Sequence, residues 1–576
     1  MKKTGAWLVR YALEQLPVSH TFGIPGMQNT EIYDELDQSE RITPVLVTHE
    51  QSASFACDGL ARSSNRVGVC LVVPGAGVSN AMSGICEARL DGIPLLVIAG
   101  SARLDTGKSF QLHQLDQQEL VRGAVKKSWR IARHAEIVSA IFDAYNEAVS
   151  GCPGPCFIEI PVEIQMLLGE VGDSLPRWEP LPVPSPDATA IAAAAELIKK
   201  AKHPMIYAGW GCHLCPDELR SLAELLEAPV ALTMQGYGVF PGTHPLHAGM
   251  GFGASAVPAG KIAFELCDCL IAVGLRFAEV ATGSYGIEVP ENLIHIDIDP
   301  SVFDRNYPAK VKIAADARLA LAALADALAD SRRAVDEGLR SKIREAKEKY
   351  YSEWISTRMQ GVNPARFIRE LGDAMSAEDY VLSDVGNHTF LMAEHFTVKK
   401  AGHFIAPCDF NCMGYATPAA IGVKLANPGS VVAAVVGDGD FLMTCMESLT
   451  AQALGLGIVY CVFHDGELAQ ISQSQQLPYN RKTCTVLPDY DISGIAAAVG
   501  AEYIEVKNDE QIASALSRAR ELAASGGTAI VDVRVSYEKK TSYTQGVLKT
   551  NLLRFPVAAR IRLVGRVVRR KFLPFI

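Results

Sequence analysis

Apolar residues gather in this chain into short uninterrupted runs, separated by stretches of helical period. Val67–Val73, Pro94–Ile98 and Cys156–Ile160 come first; Pro204–Ala208, Leu270–Val273 and Leu293–Ile298 follow; Val431–Val436, Ile458–Phe463 and Ala529–Val533 come last. Runs this short, bounded by Gly/Ser turns, predict strands buried on both faces. With helices between them, each cluster reads as βα units around a parallel sheet. Pro176 to Pro186 predicts an extended linker, and charged Ser331–Trp354 a bridging helix. The expected fold class is α/β: three doubly wound parallel-sheet domains at 1–170, 187–335 and 360–540, then an amphipathic helical tail at 541–576.

The tail has its own pattern. With Val557 at 0° and about 100° per residue, Val564, Val568, Ile561 and Phe572 share a stripe with it between about 340° and 60°. Arg569, Arg562, Arg566 and Arg570 fall between about 120° and 220°, across the helix. Phe555, Leu573, Phe575 and Ile576 add apolar anchors, and Pro556 and Pro574 bracket the segment. A helix with arginines along one face and an apolar stripe along the other describes one lying on an anionic membrane surface. A stripe docked on the protein body and an RNA-binding arm are the alternatives, the latter weakened by few and terminal aromatics.

Charge sharpens that contrast. The 576 residues carry a net charge of −10, but residues 549–576 hold eight of the 54 basic residues and none of the 64 acidic ones. The remaining body therefore stands at −18, which argues against nucleic-acid binding, a function that needs a basic face. With 49% hydrophobic residues the chain can build packed cores rather than a disordered or fibrous assembly. No signal-like segment opens it, and no apolar run nears the roughly 18 residues that span a bilayer. Its fourteen cysteines are scattered, several inside apolar runs, as buried thiols of a reducing compartment are. Cys212-His-Leu-Cys215 lacks the second ligand pair of a zinc site. The expectation is a cytoplasmic enzyme, peripherally membrane-associated through its tail.

The strongest chemical signal is Val431-Val-Ala-Ala-Val-Val-Gly437-Asp438-Gly439-Asp440, an apolar strand ending in Gly-Asp-Gly before a helix. The glycines let backbone approach a ligand, and Asp438 offers a hard oxygen at a strand's carboxyl end, where open α/β sheets bind ligands. A neighbouring run ends in His464-Asp465-Gly466, giving a second carboxylate. Two carboxylates and a carbonyl suit Mg²⁺ on a diphosphate; two ordinary acidic turn residues are the plainer account.

Over residues 1–540 the chain resembles the thiamine diphosphate enzymes of the acetolactate synthase, pyruvate oxidase and benzaldehyde lyase superfamily. The resemblance rests on Phe22-Gly-Ile-Pro-Gly26, His49-Glu50, Pro74-Gly-Ala-Gly77 with Asn80, and Gly154-Pro155 before Ile158-Glu-Ile-Pro161. It continues through Thr233–Gly242, Val273-Gly-Leu-Arg-Phe277, His295-Ile-Asp-Ile-Asp-Pro300, Asp384-Val-Gly-Asn-His388, Met413-Gly-Tyr415 and Gly437-Asp-Gly439. It implies pyrimidine-binding, central and diphosphate-binding domains in that order. By the same resemblance Glu50 hydrogen-bonds the cofactor's aminopyrimidine, with Gly26 and Asn80 beside the cofactor. Asp438, Asp465 and the carbonyl of Glu467 hold Mg²⁺. Gly386, Asn387, His388, Gly437, Gly439, Asp440 and Gln470 line the cofactor, and Met413 props its bend. Because Glu50 and the metal residues come from different subunits in that superfamily, the resemblance implies a homodimer or homotetramer. Gln111 and His113, in Phe110–Gln117, are candidates beside the reacting carbon, although loop polarity alone explains either. Arg276 and Asp297 sit in motifs that carry FAD in some members, so FAD is the further cofactor the resemblance allows.

Two departures bear on substrate. His464-Asp465 replaces the usual Asn pair, adding negative charge at the metal. Ala469, Gln470 and Ser474 replace the Gly-Met pair and Trp that shape the acetolactate synthase pocket. A smaller, more polar wall implies a larger or lipophilic substrate. The expected function is 2-oxoacid decarboxylation with acyloin-type carboligation; a membrane-associated FAD oxidase and a non-catalytic scaffold are the alternatives.

Overall fold

The computed structural model describes residues 1–572, apart from the side chains of Leu477, Val564, Lys571 and Phe572. Three six-stranded sheets organise it. The first runs, edge to edge, Thr43–Leu46, His20–Gly23, Gly68–Val72, Leu95–Ser101, Pro155–Pro161 and Lys127–Arg130. The second runs His247–Met250, Val230–Leu232, Pro204–Ala208, Cys269–Val273, Leu293–Asp297 and Val311–Ala314. The third runs Phe404–Ile405, Tyr380–Ser383, Val432–Gly437, Ile458–His464, Ala529–Arg534 and Glu502–Val506. Every pairing inside these sheets is parallel. An antiparallel pair, Lys2–Thr4 with Leu168–Glu170, ties the chain's start to the close of the first block.

Counted in chain order within each sheet, the first and third share the strand order 2-1-3-4-6-5, whereas the second is 3-2-1-4-5-6. Each order reverses direction beside its first strand, and the crevice outside the carboxyl ends there is where such sheets take ligands. Beside that reversal Gly26 and Glu50 follow the first and second strands of the first sheet, and Gly386 and Asp438 follow the first and third strands of the third sheet.

The like-wound first and third blocks also pack through corresponding helices, each following the second strand of its sheet. Glu50–Ser63 lies against Ala416–Ala426, and small residues set how closely. A Cβ on Gly59 would stand 2.2 Å from the Ala419 carbonyl oxygen, and one on Gly422 would stand 1.8 Å from that of Ala56. Polar groups lock the same seam. Arg62 is fully buried between Asp58 (2.5 Å) and Asp91 (2.8 Å), while the Tyr415 hydroxyl donates to Asp58 at 2.5 Å. Glu447 accepts from the Thr48 backbone N–H and hydroxyl.

All nine predicted strands form, eight with ends shifted by at most one residue, while the one expected at Pro94–Ile98 runs on to Ser101. Nine other sheet strands were not predicted. Thr43–Leu46, Lys127–Arg130 and Val311–Ala314 are half-exposed edges with no continuous apolar run; Phe404–Ile405 is only two residues long. The bridging helix starts later than expected, at Glu337, where the Asp336 side chain caps it by accepting from the Leu339 N–H, and ends at Ile355.

The segment from 541 is not one unit. Helix Ser542–Arg554 is packed on the body: Tyr543 stacks on Phe390 at 4.2 Å and donates to the Val280 carbonyl, and a Cβ on Gly546 would stand 2.3 Å from Ser255 Cα. Helix Val557–Phe572 lies beside helix Ala469–Tyr479, with Arg570 donating to the Pro478 carbonyl at 2.9 Å. The expected stripe is not the docked face: Val557, Ile561 and Val568 are 65, 66 and 50% exposed. Of the other stripe and anchor positions, the Val564 and Phe572 side chains and residues 573–576 lie outside the described residues. No helix among the described residues is long and apolar enough to cross a membrane.

Candidate active site

Glu50 opens its helix after His49, whose Nδ1 accepts from the Gln51 N–H. A carboxylate at a helix N-terminus sits where the backbone dipoles favour negative charge. Glu50 is buried, and one oxygen accepts from Asn80 Nδ2 at 2.9 Å. A Cβ on Gly77 would come within 3.3 Å of its other oxygen. Gly26 lies in the same crevice, its N–H held by Asn29 Oδ1 at 2.7 Å, and a Cβ there would strike Val73 at 2.5 Å.

The loop with the other first-block candidates runs past this crevice. The His113 carbonyl oxygen lies 3.2 Å from where a Gly75 Cβ would be. Phe110 and His113 hold φ near +60°, uncommon for non-glycine residues, and Phe110 is fully exposed. The Gln111 amide nitrogen is committed to its own loop, donating to the Arg103 and Lys108 carbonyls. Gln117 anchors the loop's end, accepting from the Gly75 N–H and donating to the Gly100 carbonyl.

In the third block Asp384 organises the site's floor. It is fully buried and accepts from the N–H groups of Val385, Gly414 and Ala416, joining the turn of Gly386, Asn387 and His388 to the turn of Met413. Burial raises its pKa to about 6. Across the floor, Gly437 ends its strand and Asp438 begins a helix. Asp438 accepts from the N–H groups of Gly439 (2.8 Å) and Gly466 (2.7 Å), so one carboxylate ties two strand ends together. Burial, and then the Asp438 charge, push Asp465 up to about 8. Asp440 accepts from the Gly437 N–H at 3.0 Å, while its Oδ1, His388 Nε2 and Asn387 Nδ2 are buried without a partner. Burial holds His388 neutral, its pKa lowered to about 3. Met413 reaches Gly439, where a Cβ would stand 3.5 Å from its methyl carbon.

Glu467 directs its carboxylate to Ser472 and Lys482. Its bridge to Val486 is made by the Leu468 N–H and the Gly466 carbonyl, which leaves the Glu467 carbonyl out of those bonds. Gln470 follows on helix Ala469–Tyr479, half-buried. Among the described residues no three His, Cys, Asp or Glu side chains converge for a metal. Cys212 and Cys215 are both buried, their thiols donating to the carbonyls of Val273 and Cys212.

In the second block Arg276 and Asp297 line a cavity of about 380 Å³ at that sheet's reversal, together with Trp210 and Gly274. Arg276 pairs with Asp409 at 2.6 Å, and burial raises Asp297 to about 6. Sequence reasoning singled out neither Glu447 nor Asp384 as a site residue, and it missed the clamp on His464, whose Nδ1 meets Asp532 at 2.9 Å. Asp384 carried a usable signal, an acid at a strand end before Gly-Asn-His; the other two depend on tertiary pairing.

Crevices with glycine turns and carboxylates at the reversals of two like-wound sheets define a diphosphate-cofactor enzyme of the α/β class. Family models match all three blocks: the N-terminal TPP binding domain of thiamine pyrophosphate enzymes over residues 3–120, their central domain over 191–324 and their C-terminal TPP binding domain over 384–533. The chain is 33% identical over 502 residues to the probable acetolactate synthase large subunit of Methanocaldococcus jannaschii, covering 84% of this chain and 83% of that one. It is 30% identical over 553 residues to the acetolactate synthase large subunit of Corynebacterium glutamicum (90% and 85% covered). It is 29% identical over 540 residues to the Escherichia coli acetolactate synthase isozyme 1 large subunit (93% and 95%). The chain belongs to the thiamine pyrophosphate enzymes, in the acetolactate synthase-like branch.

Proposed function

We propose that the protein decarboxylates a 2-oxoacid and joins the acyl fragment to an acceptor, an acyloin-type carboligation using thiamine diphosphate and Mg²⁺. One observation carries this: a buried Glu50 in one crevice and the crowded Asp438–Asp465 pair in the equivalent crevice of a like-wound sheet. The residues fit the cofactor. Buried polar atoms of Asn387, His388 and Asp440 have no partner, and glycines 386, 437 and 439 keep the floor bare for a diphosphate. A divalent cation would offset the burial and the neighbouring Asp438 charge that raise Asp465, and the Glu467 carbonyl would supply a third oxygen.

Thiamine diphosphate, when bound, supplies the electron sink for breaking and forming the C–C bond. Glu50 would hold the aminopyrimidine and share its proton; Met413 would pack beneath the bend; Gln111 and His113 would flank the reacting carbon. The two poles would meet across subunits of a homodimer or tetramer, a reading supported by exposed Met27, Phe110 and Met443 near them. The domains would follow the bounds 1–170, 187–335 and 360–540. FAD would occupy the central cavity by Arg276 if this branch retains it.

We further propose a larger, lipophilic substrate taken at an anionic membrane surface. The small or polar Ala469, Gln470 and Ser474 support this reading, and the tail keeps Val557, Ile561 and Val568 exposed. The test is mass-spectrometric product profiling of the cofactor-loaded enzyme with pyruvate and aldehydes of graded length, with and without anionic vesicles. Rising turnover with chain length, lost on deleting residues 550–576, is expected. Equal turnover of short and long acceptors, unchanged by the deletion, sinks the lipophilic reading; no ligation product at all sinks the carboligase.

A further inference from the structure

A second constellation of buried charge lies outside the crevices described above. Helix Glu337–Ile355 roofs a cavity of about 460 Å³ between the second and third blocks. His247 enters from an edge strand of the second sheet, and His395 and Phe396 from the end of helix Asn387–His395. Lys347 donates to His247 Nδ1 at 2.9 Å. That bond sets the tautomer: with Nδ1 accepting, a neutral His247 carries its proton on Nε2. Nε2 is buried without a partner, as are Arg369 Nε and His395 Nε2. Lys347 spends one of its three donors on His247, and its ammonium is close enough to Arg369 for the two charges to repel.

Buried donors left unpaired in a protein interior are uncommon and call for an acceptor. The side chains that carry these atoms line one cavity, whose other walls include Tyr237, Tyr351 and Phe396, with the Arg369 guanidinium 4.0 Å over the Tyr351 ring. The acids on the same walls are partly engaged: Glu394 accepts from the Tyr350 hydroxyl and the Tyr543 N–H, and Glu348 lies 3.6 Å from Arg369. Glu337, Arg340 and Arg344 line the rim, Arg340 being held by Glu227. Against that balance the donors can accommodate one further negative charge better than two.

We propose that this cavity binds a small organic monocarboxylate, its head taken by Lys347, Arg369 and His247 and its apolar body lying among Tyr237, Tyr351 and Phe396. Its volume falls in the range of small-molecule pockets, and an aromatic wall with few convergent polar groups is how such pockets are built. Burial, and then Arg369, lower Lys347 to about 8, while burial raises Glu394 on the same wall to about 7, so both charges are weakened by desolvation. This assignment is independent of the proposed reaction.

Isothermal titration of the enzyme loaded with thiamine diphosphate and Mg²⁺, using phenylacetate as the probe, tests it. Saturable binding of one phenylacetate per chain is expected, weakened about tenfold or more by Lys347→Met and by Arg369→Gln, and unchanged by Glu50→Gln. If Lys347→Met fails to fold, the partly exposed Arg369→Gln carries the same reading. No saturable heat up to about 10 mM overturns the proposal. So does binding lost in Glu50→Gln but kept in Arg369→Gln, or inorganic phosphate binding as tightly as phenylacetate.

Discussion

Glu50 and Asp438 show how single carboxylates are placed before any ligand arrives. The Asn80 amide and the helix N-terminus support the first, and two strand-end N–H groups hold the second. Replacing Glu50 by Gln keeps the shape and removes the carboxylate proposed to hold the cofactor's aminopyrimidine, so kcat should fall on the order of a hundredfold or more, with circular dichroism unchanged. Asp465→Asn removes one of two crowded charges, so it should raise the Mg²⁺ concentration for half-maximal activity several-fold while leaving the fold stable, read by metal titration after chelation. At His395 the effect is on stability. Burial, then Arg369 and Lys539, lower its pKa from 6.5 to about 3. The unfolded chain therefore binds more protons below pH 6.5, and stability falls as pH drops from there toward 3. The loss from this group is bounded by about 1.4 kcal/mol per pH unit. Urea melts across that range should flatten in His395→Gln; an unaltered slope contradicts the assignment.

At the scale of elements, the helix pair Glu50–Ser63 and Ala416–Ala426 decides how the first and third blocks meet. Backbone carbonyls occupy the space a side chain would need at Gly59 and Gly422. Gly422→Val should push the helices apart and destabilise by at least about 1–3 kcal/mol, seen as a lower urea midpoint. Since Glu50 begins one of these helices and Met413 precedes the other, activity should drop with it. The predicted strands were legible because continuous apolar runs mark strands covered on both faces. Edge strands such as Lys127–Arg130 escaped because half their side chains meet water. The tail helix was legible from its period and from the Pro556 before it, but helix Ser542–Arg554 was not: it docks through contacts of Tyr543 and Gly546 that leave no periodic trace.

Over the whole molecule, a buried Asp58–Arg62–Asp91 triad ties the like-wound blocks together. Arg62→Met would strand two buried carboxylates and should cost about 3–5 kcal/mol, measured by chemical denaturation. Charge divides the molecule too, with an acidic body and eight basic residues in its last 28. Cosedimentation with anionic vesicles should depend on residues 550–576 and weaken with salt; salt-independent binding, or binding that survives the deletion, would contradict an electrostatic tether.

Local composition was sufficient for the α/β class, the three blocks, the Gly-Asp-Gly turn and the basic amphipathic tail, because each is written in neighbouring residues: runs, periods, turn chemistry and charge. Glu50 could be picked out only through its place in a series of motifs, since an acid at a helix start is ordinarily just a cap. Three-dimensional packing was needed for the rest. It set the shared 2-1-3-4-6-5 winding that makes two crevices equivalent. It also brought Asp384 beneath the turn of Gly414, and Lys347 to His247 across 100 residues. Hydrogen bonds and buried charges between distant segments have no period and no composition, so they exist only once the chain has folded.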